Sequence, residues 1–192
     1  LLTQSGLKSP AREVARKLGL PVLETSRAGS SKAGVFDMQA ESSASAEPRL
    51  SGPAQADDIA LVLHTSGTTS QPKIVPLSQR NVCESARNVC RSLALSEGDR
   101  ALNMMPLFHI GGLVDLLLAP LASGGSSICT PNFSAANFSK CQDAFTPTWY
   151  QGVPTMLQEI LAHVARDPSL AKKNALRFVR AVSAALPESV LQ

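Results

Sequence analysis

Aromatic residues are scarce in this chain: six Phe, one Trp and one Tyr among 192 residues. That leaves no row of base-stacking platforms, and Lys and Arg are scattered at a net charge of only +3. No nucleic-acid partner is therefore expected. The longest apolar stretch, Ile110 to Leu121, contains Asp115 and Pro120 and is shorter than the roughly 20 residues a membrane-spanning helix needs. The first residues lack a basic segment, an apolar core and a small-residue cleavage site. Cys83, Cys90, Cys129 and Cys141 form no Cys-x-x-Cys and no ligand-spaced pair. No metal site is expected from them, and they read as reduced, structural thiols of an intracellular protein.

What the chain does have is regular alternation of strand and helix signals. Ser9-Pro10 opens a helix that Gly19 closes, between the strand tail Leu1-Leu2-Thr3 and the strand Leu20–Leu23, which makes a βαβ unit over residues 1–24. Residues 25–57 are rich in Ser, Ala, Gly, Glu and Pro. They read as a surface loop or linker, in which only Val35-Phe36 could pair in a sheet. From Asp58 the order returns and runs through residues 58–192. Ser78 caps a helix to about Leu95, strands follow at 100–105, 126–130, 148–150 and 177–182, and helices lie between them. The class is α/β, layered helix on sheet with mostly parallel strands. Leu1-Leu2-Thr3 and the helix start at Leu186-Pro187 give both ends the look of cuts in a longer chain.

The most informative stretch is Thr65-Ser66-Gly67-Thr68-Thr69-Ser70-Gln71-Pro72-Lys73. It leaves the apolar run Ile59–Leu63 and returns into Ile74–Leu77. A turn rich in hydroxyls, with one glycine for close backbone approach and a terminal lysine, suits a polyphosphate. Each charge-assisted hydrogen bond there is worth about 1.5–3 kcal/mol. It is not the Gly-x-x-x-x-Gly-Lys-Ser/Thr loop, and Pro72 with the β-branched run after Lys73 predicts a hairpin return rather than a helix. On residue types alone, a polar turn with a solvated lysine fits as well.

Further segments turn the loop into a pattern. Thr-Ser-Gly-Thr-Thr-x-x-Pro-Lys, Pro106-Leu107-Phe108-His109, Gly124-Gly125, Trp149 to Thr155, and Leu176 to Arg180 leading into Ser183-Ala184-Ala185-Leu186-Pro187 together resemble the signature of the adenylate-forming enzymes. The resemblance runs from about Asp57 onward and more loosely over 1–25. The chain is similar to part of that superfamily's large N-terminal domain, and within it to acyl-CoA synthetases of the oxalate–CoA ligase-like group. Ser70 stands where many members have Gly, and Ile74 where Gly commonly follows the lysine.

The resemblance implies ATP-dependent activation of a carboxylic acid to an acyl-adenylate, then thioester formation with coenzyme A. A carrier-protein phosphopantetheine as acceptor, in a peptide or polyketide synthase, is one alternative. A non-catalytic nucleotide-binding or scaffold protein is another. ATP, Mg2+ and CoA are the implied small molecules, beside a small-molecule carboxylate. Thr65, Ser66, Gly67, Thr68, Thr69 and Lys73 match the phosphate loop. His109 matches the aromatic gate beside the acyl pocket, and Ser183, Ala184 and Ala185 match the turn that lies against adenine. His64 reads as a strand-end residue, His163 as solvated, Asp115 as lying on the exposed side of its helix, and Trp149 and Tyr150 as core. The family's Tyr-Gly-x-Thr-Glu motif, ribose-binding aspartate, hinge and catalytic lysine lie outside this sequence, so the chain alone is expected not to complete adenylation. The expected compartment is the cytoplasm, with the peroxisome as the alternative.

Overall fold

The computed structural model describes residues 1–29, 34–41, 52–65, 72–173 and 175–191. Its contacts divide the chain into two units, Leu1–Pro53 and Ala54–Gln192.

In the first unit, Ser9 accepts a hydrogen bond from Ala11 N–H and Pro10 opens α1 (Pro10–Lys17). This helix joins β1 (Leu2–Gln4) to β2 (Leu23–Arg27), which pair in parallel. The βαβ unit forms as expected, with β2 set further along than Leu20–Leu23. One expectation fails: Phe36–Ala40 form β3, antiparallel to β2 along its whole length. The stretch taken for a connector thus contributes a full strand. Its residues are all exposed, Phe36 and Met38 included, so the strand has no buried face. Arg12 ties the unit together, pairing with Glu24 and Glu41 and donating to Gln4 O at 3.1 Å.

The second unit begins with an antiparallel hairpin, β4 (Ile59–Thr65) and β5 (Lys73–Ser78). Leu61 and Leu63 alternate with exposed Val62 on β4, and Val75 and Leu77 face them on β5, the period-two pattern of a half-covered ribbon. Ser78 then ends the strand and starts α2 (Gln79–Ser92). Its side chain accepts from Asn81 N–H while the Asn81 side chain accepts from Ser78 N–H, a reciprocal capping box.

The rest is a four-stranded, fully parallel sheet of β6 (Arg100–Asn103), β7 (Ser126–Cys129), β8 (Trp149–Gly152) and β9 (Phe178–Ala181), in the order β7-β6-β8-β9. A π-helical segment, Gly111–Leu118, continues into α3 (Ala119–Ala122) and joins β6 to β7. α4 (Ala135–Phe145) joins β7 to β8, and α5 (Pro154–Arg166) joins β8 to β9. α6 (Glu188–Leu191) closes the described chain. The apolar helix expected over 110–121 is therefore wound more loosely through Leu118, and Ala119 N–H reaches back five residues to Val114 O.

Side chains of successive strand residues feed two cores on opposite faces of this sheet. Leu102 and Tyr150 pack with Phe138, Leu157 and Ile160 from α4 and α5. Ala101 and Trp149 pack with Leu116 of the π-helical segment. Tyr150 meets Phe138 edge-on at 5.0 Å and Trp149 stacks on Phe178 at 5.3 Å. Both are fully buried, as the sequence reading expects.

Candidate functional site

The strand order fixes where a site can be. From β6 the chain moves to β7 on one side, then crosses back to β8 and β9 on the other. The connections leave β6 and β8 in opposite directions, which puts the topological switch point between the C-terminal ends of those two strands. Parallel α/β sheets bind ligands at such a switch point.

Pro106-Leu107-Phe108-His109 follows β6 directly into this rim. His109 N–H donates to Pro106 O at 3.1 Å, and His109 O accepts from Gly112 and Leu113 N–H at 3.0 Å each, so the residue both ends the turn and starts the helix. Its exposed ring accepts from Gly111 N–H at Nδ1, 3.2 Å away. In a neutral ring that contact assigns the proton to Nε2. The glycines are required by approach distance. A Cβ on Gly112 would lie 2.3 Å from Pro106 O. Buried Asn103 at the end of β6 fastens the same turn: Nδ2 donates to Gly112 O at 2.9 Å, and Oδ1 accepts from Met105 N–H at 3.1 Å.

Ser183-Ala184-Ala185 follows β9 at the same rim. Val182 N–H donates to Gly152 O at 3.2 Å and extends the ladder by one bond. Ser183 then takes a left-handed φ of 72°, which turns the chain and leaves all three small residues exposed. His109 and the Ser183–Ala185 turn thus share one edge of one sheet, on either side of β8.

Of the residues expected to form a phosphate loop, Thr65 and Lys73 are described, and they are direct partners at the open end of the hairpin. Both are exposed, in line with the inner-face row of Leu63 and Val75. Ile74 pairs with His64 on the other face, so its branched side chain points away from the row that Lys73 continues. Ser66, Gly67, Thr68, Thr69 and Ser70 lie outside the described residues.

The sequence reading misplaced Asp115. It is not solvated: its side chain is 20% exposed and Oδ2 accepts from Arg180 NH1 at 3.0 Å and from Gln151 Nε2 at 3.1 Å. Asn103, Gln151 and Arg180 were not singled out as site residues. The available signals were a polar residue at the end of each strand and one acid in an otherwise apolar segment. His163 is half-buried rather than solvated.

A cavity of about 450 Å³ opens on the α4–α5 face, lined by Tyr150, Phe138, Leu157, Ile160, Leu176 and Val190 among others. None of the expected site residues lines it, so size alone does not mark the rim. Among the described residues, no group of His, Cys, Asp and Glu could hold a metal ion, and no helix is long and apolar enough to cross a membrane.

The family model described as AMP-binding enzyme matches residues 4–192. The chain is 43% identical over 135 residues to sulfoacetate–CoA ligase of Cupriavidus necator, covering 70% of this chain and 26% of that protein. It is 36% identical over 194 residues to oxalate–CoA ligase of Arabidopsis thaliana, covering 100% of this chain and 37% of that one. A solved malonyl-CoA ligase, in a ternary product complex with methylmalonyl-CoA and AMP, superposes with a TM-score of 0.67 at 33% identity, over 73% of this chain and 31% of its own. The chain thus spans between a quarter and two fifths of the length of these relatives.

Proposed function

This chain belongs to the AMP-binding, adenylate-forming enzymes, and from that premise we propose that it carries the phosphate grip, the gate and the adenine-facing turn of an AMP-forming acid–CoA ligase acting on a small carboxylic acid. The observation that carries the proposal is the shared rim: the His109 turn after β6 and the Ser183–Ala185 turn after β9 flank the switch point of one parallel sheet.

In the first step a carboxylate oxygen attacks the α-phosphorus of ATP, and pyrophosphate leaves. Lys73, at the base of the hairpin loop, supplies positive charge to the departing group, and the hydroxyl-rich stretch 65–69 supplies donors. Ser183, Ala184 and Ala185 let the flat purine come into van der Waals contact because no long side chain intervenes. In the second step the CoA sulfur, having lost its proton to solvent, attacks the acyl carbon, and AMP leaves. His109, exposed at the rim with Nδ1 occupied by Gly111, lines the path as a gate. Among the described residues it has no carboxylate partner that would make it a general base. Mg2+ would travel with the nucleotide phosphates, since the described residues offer no cluster for it.

The test is a hydroxamate-trapping assay with ATP over a panel of carboxylates, run on the longest reading frame that contains this chain. Carboxylate-dependent hydroxamate and pyrophosphate, strongest for small acids such as oxalate, malonate or sulfoacetate, are expected. Absence of pyrophosphate release with every acid overturns the proposal.

A further inference from the structure

Asp115, Gln151 and Arg180 close a triangle of hydrogen bonds on the π-helix face of the sheet. Arg180 NH1 donates to Asp115 Oδ2 at 3.0 Å and to Gln151 Oε1 at 2.7 Å, and Gln151 Nε2 donates to the same Asp115 oxygen at 3.1 Å. Gln151 is 0% exposed, and both ends of its amide are engaged. Gln151 and Arg180 are register partners on β8 and β9, so two strands present one polar pair to a single helical acid.

The triangle reaches His109 through Gly111. A Cβ on Gly111 would stand 3.3 Å from Gln151 Nε2 and 3.5 Å from His109 Nδ1. The Gln151 amide therefore packs against the residue whose N–H holds the His109 ring. Asp115 lies four residues further along the same π-helical segment, so the segment is fastened to the sheet on both sides of its first turn. An ion pair with side chains 20% and 34% exposed adds little net stability, because desolvation offsets much of the attraction. Its consequence here is geometric.

We propose that Asp115, Gln151 and Arg180 are positioning residues for His109: they pin the start of the π-helical segment to β8 and β9, so that Gly111 N–H stays aimed at Nδ1 and the ring keeps one tautomer and one orientation. The functional weight of this rests on the reading of His109 as the gate. The test below follows the ring and not turnover, so its failure is separate from failure of that reading.

The experiment is long-range proton–nitrogen NMR on the chain labelled with 15N-histidine, at about pH 8, where an ordinary imidazole is neutral. The three histidines are His64, His109 and His163, and His64 and His163 serve as internal controls. In the parent chain the two His109 nitrogens should resonate far apart, with the proton at Nε2. In Arg180→Met they should move toward each other as the ring averages between tautomers, with His64 and His163 unmoved, and Arg180→Lys should restore part of the separation. Asp115→Asn, nearly isosteric, should shift His109 in the same direction and decides the matter if Arg180→Met does not fold. Wild-type His109 shifts in the folded variants, accompanied only by a lower Tm, would reduce the triangle to a packing element and overturn the proposal.

Discussion

Arg177 grips Asp99 across 78 residues of sequence. Its Nε and NH2 donate to Oδ1 at 3.2 and 3.0 Å, and NH2 also reaches Oδ2 at 3.0 Å. The pair joins the entrance of β9 to the entrance of β6, at the opposite end of the sheet from His109 and Ser183. Thr148 Oγ1 and the Ser96 N–H and hydroxyl complete the shell around the carboxylate.

That shell predicts acid sensitivity. Burial pushes the Asp99 carboxyl up, but the bonds from Ser96 N–H, Arg177, Thr148 and the Ser96 hydroxyl outweigh it and hold the group below its ordinary value. A depressed folded-state value means stability that is present above the unfolded value, roughly 3.9, and is lost as pH falls through the folded one. The melting temperature should therefore fall in acid below about pH 4. Asp99→Ala should cost about 1–3 kcal/mol at neutral pH, chiefly because the part-buried Ser96 and Thr148 donors lose their acceptor while the half-exposed Arg177 is resolvated, and should flatten that acid dependence. Thermal melts at several pH values measure both.

Gly112 should tolerate no side chain. In Gly112→Ala the methyl would sit 2.3 Å from Pro106 O, so the turn before His109 or the π-helical start must move. A loss of about 1–3 kcal/mol is expected, read as a lower midpoint in urea.

Tyr150→Phe should be neutral or stabilising. The Tyr150 hydroxyl is buried with no hydrogen-bond partner, and burial, helped by the nearby Glu159 carboxylate, pushes its ionisation well above the ordinary phenol range. Removing an unsatisfied buried hydroxyl relieves a desolvation cost. A Tm at or above that of the parent chain checks it.

The cysteines should separate by reactivity. Cys83 and Cys129 are exposed, Cys90 is half-covered, and Cys141 is buried. Cys90 Sγ donates to Ala119 O at 3.0 Å, and burial pushes the Cys141 thiol up. Alkylation followed by mass spectrometry should label Cys83 and Cys129 first, Cys90 slowly, and Cys141 only on unfolding.

Lys73→Ala should slow adenylation by about tenfold to a hundredfold, the equivalent of one charge-assisted contact. The hydroxamate assay reads it, and an unchanged rate and ATP dependence would remove the hairpin loop from the mechanism.

Local chemistry made much of this fold legible. Ser9 and Ser78 each cap the helix that the sequence places after them, because a cap needs only neighbours within three residues. The hairpin return after Lys73 was legible from Pro72 and the β-branched run. β3 was not, because the alternation of Phe36 and Met38 with Asp37 and Gln39 lasts only five residues inside a Ser- and Gly-rich stretch and builds no buried face. The looser winding of Gly111–Leu118 was hidden as well, since an apolar run has no marker for five-residue spacing. At the candidate site, His109 and Ser183–Ala185 could be found as motifs. Asp115, Gln151 and Arg180 could not, because the sheet brings together residues 36 and 65 positions apart.

The order β7-β6-β8-β9 also separates two kinds of heritable change. Both cores lie on the faces of the sheet, whereas the His109 and Ser183–Ala185 turns hang from its rim. Substitutions in those turns leave Leu102, Trp149, Tyr150 and Leu116 untouched. Positions in the turns can therefore vary without disturbing either core, so tolerance to substitution at the rim and tolerance in the layers of the sheet are set by different residues.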